Sequence, residues 1–163
     1  MSTEEQVTGQ PEHPLAAICG IYCGTCPAYL APRNGDVEQI QAVAELHGID
    51  PDQVACDGCL SARVMEPCRV CHHGFRSCAA NHHVTWCFEC AEFPCERLAA
   101  FRDVHVKNGI SHHERVVEHL MFMKTHGVGS WLDSQADSGR CSACGATNYW
   151  FSQTCVACGA SIR

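Results

Sequence analysis

Fifteen cysteines in 163 residues constrain this chain more than any other feature of its sequence. A cysteine share of about 9% indicates either a disulfide scaffold or metal binding. Most of the cysteines stand in Cys-x-x-Cys pairs, their total is odd, and the polar first 14 residues lack an apolar stretch suited to export. The lack of an export segment leads us to expect a cytoplasmic protein. In that reducing compartment, Cys-x-x-Cys pairs are metal ligands or redox dithiols far more often than disulfides.

Charge and hydropathy argue against two kinds of partner. No run approaches the roughly 18 apolar residues that a membrane helix needs, so we expect no contact with a membrane. The formal net charge is −7, and four thiolates around one zinc ion add further negative charge. Nucleic acid is therefore not an expected partner, since its binding relies on a concentrated basic surface.

The C-terminal motif consists of two Cys-x-x-Cys knuckles separated by ten residues. A glycine follows each knuckle, Gly145 or Gly159, and allows backbone N–H groups to turn toward the sulfurs. The intervening residues 148–151 include three aromatic side chains, which we expect to form a strand and to contact a protein partner. The spacing predicts a structural zinc ribbon, with Zn²⁺ bound by four thiolates: Cys141, Cys144, Cys155 and Cys158.

The N-terminal motif places Cys19, Cys23 and Cys26 in a Cys-x3-Cys-x2-Cys spacing. Three such thiolates can hold three corners of a [4Fe–4S] cluster or three positions around zinc, and one ligand then comes from elsewhere. The same spacing occurs in radical S-adenosylmethionine enzymes. The stretch to Cys95 lacks the strand–helix alternation that their barrel requires, so we do not expect an enzyme of that class. Zinc and iron–sulfur both stay open for this motif.

Eight further cysteines lie between these two motifs, enough for two tetrahedral sites. Sequence order suggests two groups, although crossed partitions stay open: Cys56, Cys59, Cys68 and Cys71, and Cys78, Cys87, Cys90 and Cys95. With the first three cysteines the total is eleven, one short of twelve. Either one metal keeps an exchangeable position, or a nearby histidine supplies the missing ligand: His72, His73, His82 or His83.

The pattern predicts a small metal-stabilised α+β fold with three structured parts behind a flexible tail over residues 1–14. A turn-rich region of cysteine knuckles covers 15–96, a helical segment covers 97–138, and the zinc ribbon covers 139–163.

Capping signals predict individual helices within this layout. Asp36 and Gly48 are expected to bound one helix in the cysteine-rich region, and Ser111 with Glu114 is expected to form a capping box for a helix ending near residues 126–127. A short helix from Ser130 follows. His112, His119 and His126 are expected on a solvated face of the helix that the capping box begins.

The order CGxxCxxCPAY, CxGC, CxxC, a lone Cys, CxxC and FPCE resembles the domain-of-unknown-function family DUF3795. The resemblance runs from Cys19 through residues 93–98 and on to the ribbon, and all eleven cysteine positions are filled. It implies metal binding and an association with anaerobic, metal-rich metabolism. It carries no assigned reaction.

These observations predict a metal-binding accessory or adaptor protein that docks on a larger protein partner. Closed sulfur sites are of the structural kind, and no GxSxG, GxxxxGK[ST] or HExxH motif is present, so no catalytic residue is predicted. The alternative is a small metalloenzyme or iron–sulfur electron-transfer protein with an open site at Cys19, Cys23 and Cys26.

Overall fold

The computed structural model describes residues 12–162, and their fold combines helices with one small antiparallel sheet. The helices are α1 (Pro27–Asn34), α2 (Val37–His47), α3 (Glu66–Val70), α4 (Phe75–His82), α5 (Glu96–Ala100), α6 (Val116–His126) and α7 (Val128–Ser138). Strands β1 (Val106–Lys107) and β2 (Ile110–Ser111) pair with Val106 opposite Ser111 and Lys107 opposite Ile110. Most of the predicted tail, residues 1–11, lies outside the described residues. No helix in the described part of the chain has the length and apolar character of a membrane span.

The largest apolar core joins the segment before the first cysteine motif to α4, α5, α6 and α7. Helix α6 contributes Val116, Leu120 and Met123, whose spacing of four and three residues places them on one face. Trp131 of α7 is 1% exposed, which confirms that the last helix packs on the core. That helix begins at Val128, two residues before the predicted start.

Two smaller cores complete the interior. One packs α1 and α2 on the first middle cysteines and consists of Ala28, Val43, Ala44, Val54, Cys56 and Met65. The other packs α1 on the C-terminal segment and consists of Leu30, Ala31, Tyr149 and Phe151.

Helix α2 forms where its caps predict it. Asp36 Oδ1 accepts a hydrogen bond of 3.1 Å from the Gln39 backbone N–H, and Gly48 ends the helix with a φ of 63°.

The cysteine-rich region contains more helix than the turn-rich prediction allows. Helix α1 begins at Pro27 directly after Cys26, in the first-turn position where the missing N–H of proline costs nothing. Helix α4 follows Gly74 and buries Phe75. Each of these two helices has eight residues, which is too short for apolar periodicity to reveal.

The segment before α6 differs from the predicted capping box. Ser111 lies in β2, and its hydroxyl donates to the Arg102 carbonyl instead of capping a helix. The residue that precedes α6 is Arg115, and no side chain caps the helix there. Asn108 and Gly109, with φ of 54° and 73°, form the two-residue turn of the β1–β2 hairpin.

Candidate metal centre

The four C-terminal cysteines converge on one point. Their sulfur atoms all lie within 4.8 Å of one another, with Cys141 Sγ 3.7 Å from Cys158 Sγ and Cys144 Sγ 3.6 Å from Cys155 Sγ. A tetrahedral zinc ion with bonds of about 2.3 Å separates its sulfur ligands by about 3.8 Å. Within residues 12–162, this is the one group of three or more potential ligands gathered so closely. The four thiols therefore fit a single tetrahedral metal ion.

The two knuckles share one backbone conformation, as their repeated sequence predicts. The N–H of Cys141 and that of Cys155 each donate to the carbonyl five residues later, at 2.9 and 2.8 Å. Gly145 and Gly159 then donate back to the carbonyl of that cysteine, with φ of 76° and 73°. In each knuckle the first cysteine is buried and the second is exposed. The site thus has a closed inner side and a solvent-facing outer side.

Backbone N–H groups already favour a thiolate in this cluster. Hydrogen bonds from the N–H of Cys158 and of Ala157 lower the pKa of Cys155 to about 6. The N–H of Ala146 also lowers the pKa of Cys144, but hydrogen bonds with Cys155 and Cys158 raise it, and the result is about 12. Four adjacent thiols cannot all ionise without a cation among them, and a divalent metal supplies that charge.

The aromatic residues of the ribbon pack against other parts of the same chain. Tyr149 and Phe151 are 4% and 7% exposed and pack on α1, and Trp150 stacks on the His112 ring at a centroid distance of 4.4 Å. The expected protein contact through these side chains is therefore wrong for Tyr149 and Phe151. The sequence shows their apolar character but not which surface they cover.

The N-terminal motif lies among four of the middle cysteines. Electrostatic interactions link seven thiols, called here the seven-thiol group, and Cys87 also acts on Cys19, so these thiols are not separate from the later cysteines: Cys19, Cys23, Cys26, Cys56, Cys59, Cys68 and Cys71. Burial raises the pKa of Cys19 and of Cys23 well above the ordinary value, and the Cys59 thiol adds to both shifts. Burial also raises the pKa of Cys68 to about 12, with Cys26 as the next cause. Thiols of the first predicted middle group therefore interact with the N-terminal motif as well as with one another.

Several polar groups aim at the sulfurs of the seven-thiol group. The Gly58 N–H lies 3.4 Å from Cys56 Sγ, and Arg76 Nη2 lies 3.6 Å from Cys59 Sγ. A backbone N–H of Ile21 also lowers the pKa of Cys19 against the effect of burial. Donors of this kind stabilise thiolates and are the usual surroundings of sulfur ligands on a metal.

The remaining four middle cysteines interact electrostatically, although their sulfurs do not all lie within 4.8 Å of one another. Burial raises the pKa of Cys87 to about 12, and the thiols of Cys95, Cys78 and Cys90 add to the shift. His82, at the end of α4, places Nδ1 3.6 Å from Cys90 Sγ. Of the four histidines considered as a missing ligand, His82 is the one for which the structure gives a contact with a thiol. All fifteen cysteines are free thiols in this structure.

The histidines before α6 are not on a solvated helix face. His112 and His113 precede the helix, which begins at Val116, so only His119 and His126 of the predicted set lie on it. His113 is 2% exposed and stacks on Phe101 at a centroid distance of 3.8 Å. Burial lowers the pKa of both His112 and His113 to about 3, and it also lowers the pKa of His105. The spacing of seven residues between His112, His119 and His126 gives no sign of this burial. That spacing describes one helix face, whereas α6 begins four residues after His112.

Residues 15–100 match the family described as "Protein of unknown function (DUF3795)", and the match covers more than half of the chain. The chain belongs to this family. The DUF3795 segment contains the eleven cysteines that precede the ribbon, whereas α6, α7 and the ribbon lie beyond it. The expected extension of the resemblance to the ribbon is thus outside the matched residues. Neither the curated proteins nor the solved structures gave a match.

Proposed function

We propose that this DUF3795 protein is a zinc-containing accessory or adaptor protein that docks on a larger protein partner. The observation that carries the proposal is the ribbon, whose sulfur separations of 3.6 and 3.7 Å suit one tetrahedral zinc ion. Metal binding at such a site also supplies much of the folding free energy of the small segment around it. The zinc is structural in this proposal, because four thiolates leave no coordination position for a substrate.

The eleven earlier cysteines hold further metal in this proposal. Burial raises the pKa of Cys19, Cys23 and Cys87, and neighbouring thiols add to each shift, so a bound cation would stabilise thiolates at these positions. The sulfurs of the eleven cysteines do not form a group of three within 4.8 Å among the described residues. Thiolates on the corners of a [4Fe–4S] cluster lie farther apart than thiolates on one ion, which favours an iron–sulfur cluster over single zinc ions.

The accessory role rests on the closed character of the ribbon and on the absence of an acid–base pair assigned to any cysteine group. We place the protein in anaerobic metabolism, in keeping with the family resemblance. A cluster held by exposed or half-buried cysteines such as Cys68 and Cys71 would also be protected from oxidation there.

A second candidate function, electron transfer or catalysis at an open iron–sulfur site, is favoured by one observation. The N-terminal motif supplies three thiolates, so a metal held by Cys19, Cys23 and Cys26 would keep one vacant position unless a further residue enters. An electron carrier would show reversible reduction, which a zinc adaptor cannot.

Anaerobic purification followed by metal analysis and visible spectroscopy tests the metal assignment. We expect one zinc per chain in the ribbon, and broad charge-transfer absorption if the earlier cysteines hold iron and sulfide. Cys144→Ser should lose one zinc per chain, whereas Ser142→Ala, an exposed change in the same knuckle, should lose none. A protein without zinc, or an unchanged zinc content in Cys144→Ser, contradicts the proposal.

The accessory role is tested by the state of the protein in its native host. Purification under native, anaerobic conditions should recover the chain in a stoichiometric complex with a larger protein. Redox titration of the same sample separates the two candidates, since reversible reduction supports the electron carrier. Isolation as a free monomer that turns over a small substrate would show the accessory role to be wrong.

A further inference from the structure

Three histidines from three separate loops lie close together beside Phe101, which contacts two of them, His73 and His113. His73 lies in the turn between α3 and α4, His105 lies between α5 and β1, and His113 lies between β2 and α6. Their ring centroids are 5.6 Å apart for His73 and His105, 4.9 Å for His105 and His113, and 6.4 Å for His73 and His113. We infer that these three imidazoles form a separate binding site for a divalent late transition metal ion such as Zn²⁺, independent of the cysteines.

The ring arrangement suits one metal ion. A tetrahedral ion with nitrogen ligands at about 2.0–2.1 Å places the centroids of two bound imidazoles about 5 Å apart. The three rings are also nearly perpendicular to one another, with interplanar angles of 86°, 83° and 70°.

A backbone hydrogen bond orients the buried member of the site. His113 Nδ1 lies 3.2 Å from the Phe101 carbonyl oxygen. Because a carbonyl only accepts, Nδ1 carries the proton and Nε2 keeps a free lone pair. Histidine ligands of metals are commonly fixed in this way, with the second ring nitrogen donating to a carbonyl.

The ring of Phe101 supports the same geometry. It stacks on His113 at 3.8 Å and contacts His73 at 4.8 Å. Arg97 donates to the His73 carbonyl at 3.0 Å and so fixes the turn that presents this histidine.

Two of the three ligands can still move. His73 and His105 are exposed, and the three ligating nitrogens do not yet lie within 4.8 Å of one another. Rotation of these two exposed side chains about their χ angles brings the nitrogens toward His113, at a small cost in rotamer freedom. Three histidines leave the fourth position of a tetrahedral ion to water, which is the coordination of catalytic rather than structural zinc.

Calorimetric titration of Zn²⁺ into the full chain, with its cysteine sites already loaded, tests this inference. We expect one additional equivalent to bind. His105→Ala and His73→Ala should each weaken that binding at least about tenfold, since loss of even an outer-shell partner costs about 10–100-fold in metal affinity. The matched control is His126→Ala, an exposed histidine on α6, which should bind as the unaltered chain does. Both test positions are exposed, so their replacement leaves the core in place.

The absorption spectrum of bound Co²⁺ is a second measurement, and a purely structural role of the three histidines would not affect it. Co²⁺ bound as the additional equivalent should show ligand-field bands without sulfur-to-metal charge transfer, because its protein ligands are nitrogens. The inference is overturned if no additional equivalent binds, if His105→Ala and His126→Ala bind it equally, or if a sulfur charge-transfer band appears. A missing ribbon zinc in the starting material would instead contradict the proposed function, so the two failures are distinct.

Discussion

The Tyr149 hydroxyl, in the ribbon, donates a 2.7 Å hydrogen bond to Oδ2 of Asp36 while the other carboxylate oxygen of Asp36 caps α2. One side chain thus begins a helix in the DUF3795 segment and holds the C-terminal ribbon against it. The Trp150 N–H donates to the Thr25 carbonyl at 3.1 Å and adds a second connection. These two hydrogen bonds attach the ribbon to the first cysteine motif and to the segment that follows it.

Replacing Tyr149 by Phe should lower the free energy of unfolding by about 1.5–3 kcal/mol, the usual range for a hydrogen bond to a charged group. The ring would keep its packing on α1, so the loss reports the hydroxyl alone. Urea denaturation of the zinc-loaded protein measures it. Asp36→Asn is the partner in a double-mutant cycle, and additive losses in the cycle would mean that the two side chains do not interact.

Leu98→Ala should cost about 2–5 kcal/mol, because Leu98 is fully buried in the largest core and its removal leaves a cavity. The matched control is Leu46→Ala on α2, where the side chain is 74% exposed and the change should stay within about 0.5 kcal/mol. Thermal or urea unfolding compares the two variants. Similar losses at both positions would contradict the position of the core between α5 and α6.

The sequence predicts well those features that are determined by neighbouring residues and their spacing alone. Two Cys-x-x-Cys knuckles with following glycines determine both the ligands and the turn around them, and Asp36 with Gly48 marks both ends of α2. In these cases the interaction is local, so no knowledge of the remaining chain is needed.

The features that it misses depend on contacts between distant residues. His113 is buried against Phe101, twelve residues earlier in the chain, and nothing in the adjacent residues reveals this contact. Ser111 followed by Glu114 is a local capping signal, but the strand pairing of Ser111 with Val106 overrides it. The Asn108-Gly109 pair is a hairpin signal, but strands of two residues on either side leave no alternating pattern that would support it.

The hairpin turn is predicted to stabilise the ribbon through Asn108. Its side-chain amide donates to the Phe151 carbonyl at 3.1 Å, and its own carbonyl accepts from Gln153 Nε2 at 3.2 Å. Asn108→Gly keeps the positive φ of the turn and the carbonyl but removes the amide, and should cost about 1 kcal/mol. Hydrogen exchange should be faster around Phe151. Gln153→Ala is the control that removes the second contact, and a stability of Asn108→Gly equal to that of the unaltered chain would contradict the prediction.

The half-buried His119 should make the protein less stable in mild acid. Its Nδ1 donates to the Gly20 carbonyl at 3.0 Å, and its ring lies 5.4 Å from that of Trp131. Burial lowers its pKa below the ordinary value, although the hydrogen bond with Gly20 acts in the opposite direction. Below a pH of about 6.5 the unfolded chain therefore binds a proton that the folded chain does not, and the free energy of unfolding falls as the pH decreases.

His119→Asn tests this contribution, because the asparagine amide can donate to the same carbonyl but does not titrate near neutral pH. Between pH 7.5 and 5.5 the variant should lose less stability than the unaltered chain, by up to about 1.4 kcal/mol per pH unit once the pH is below about 6.5. Urea unfolding at a fixed zinc concentration gives both curves. His126→Asn, at an exposed position of the same helix, should follow the unaltered chain. Parallel curves for His119→Asn and the unaltered chain would mean that the imidazole takes up its proton equally in both states, and that its contact with Gly20 does not depend on the neutral ring.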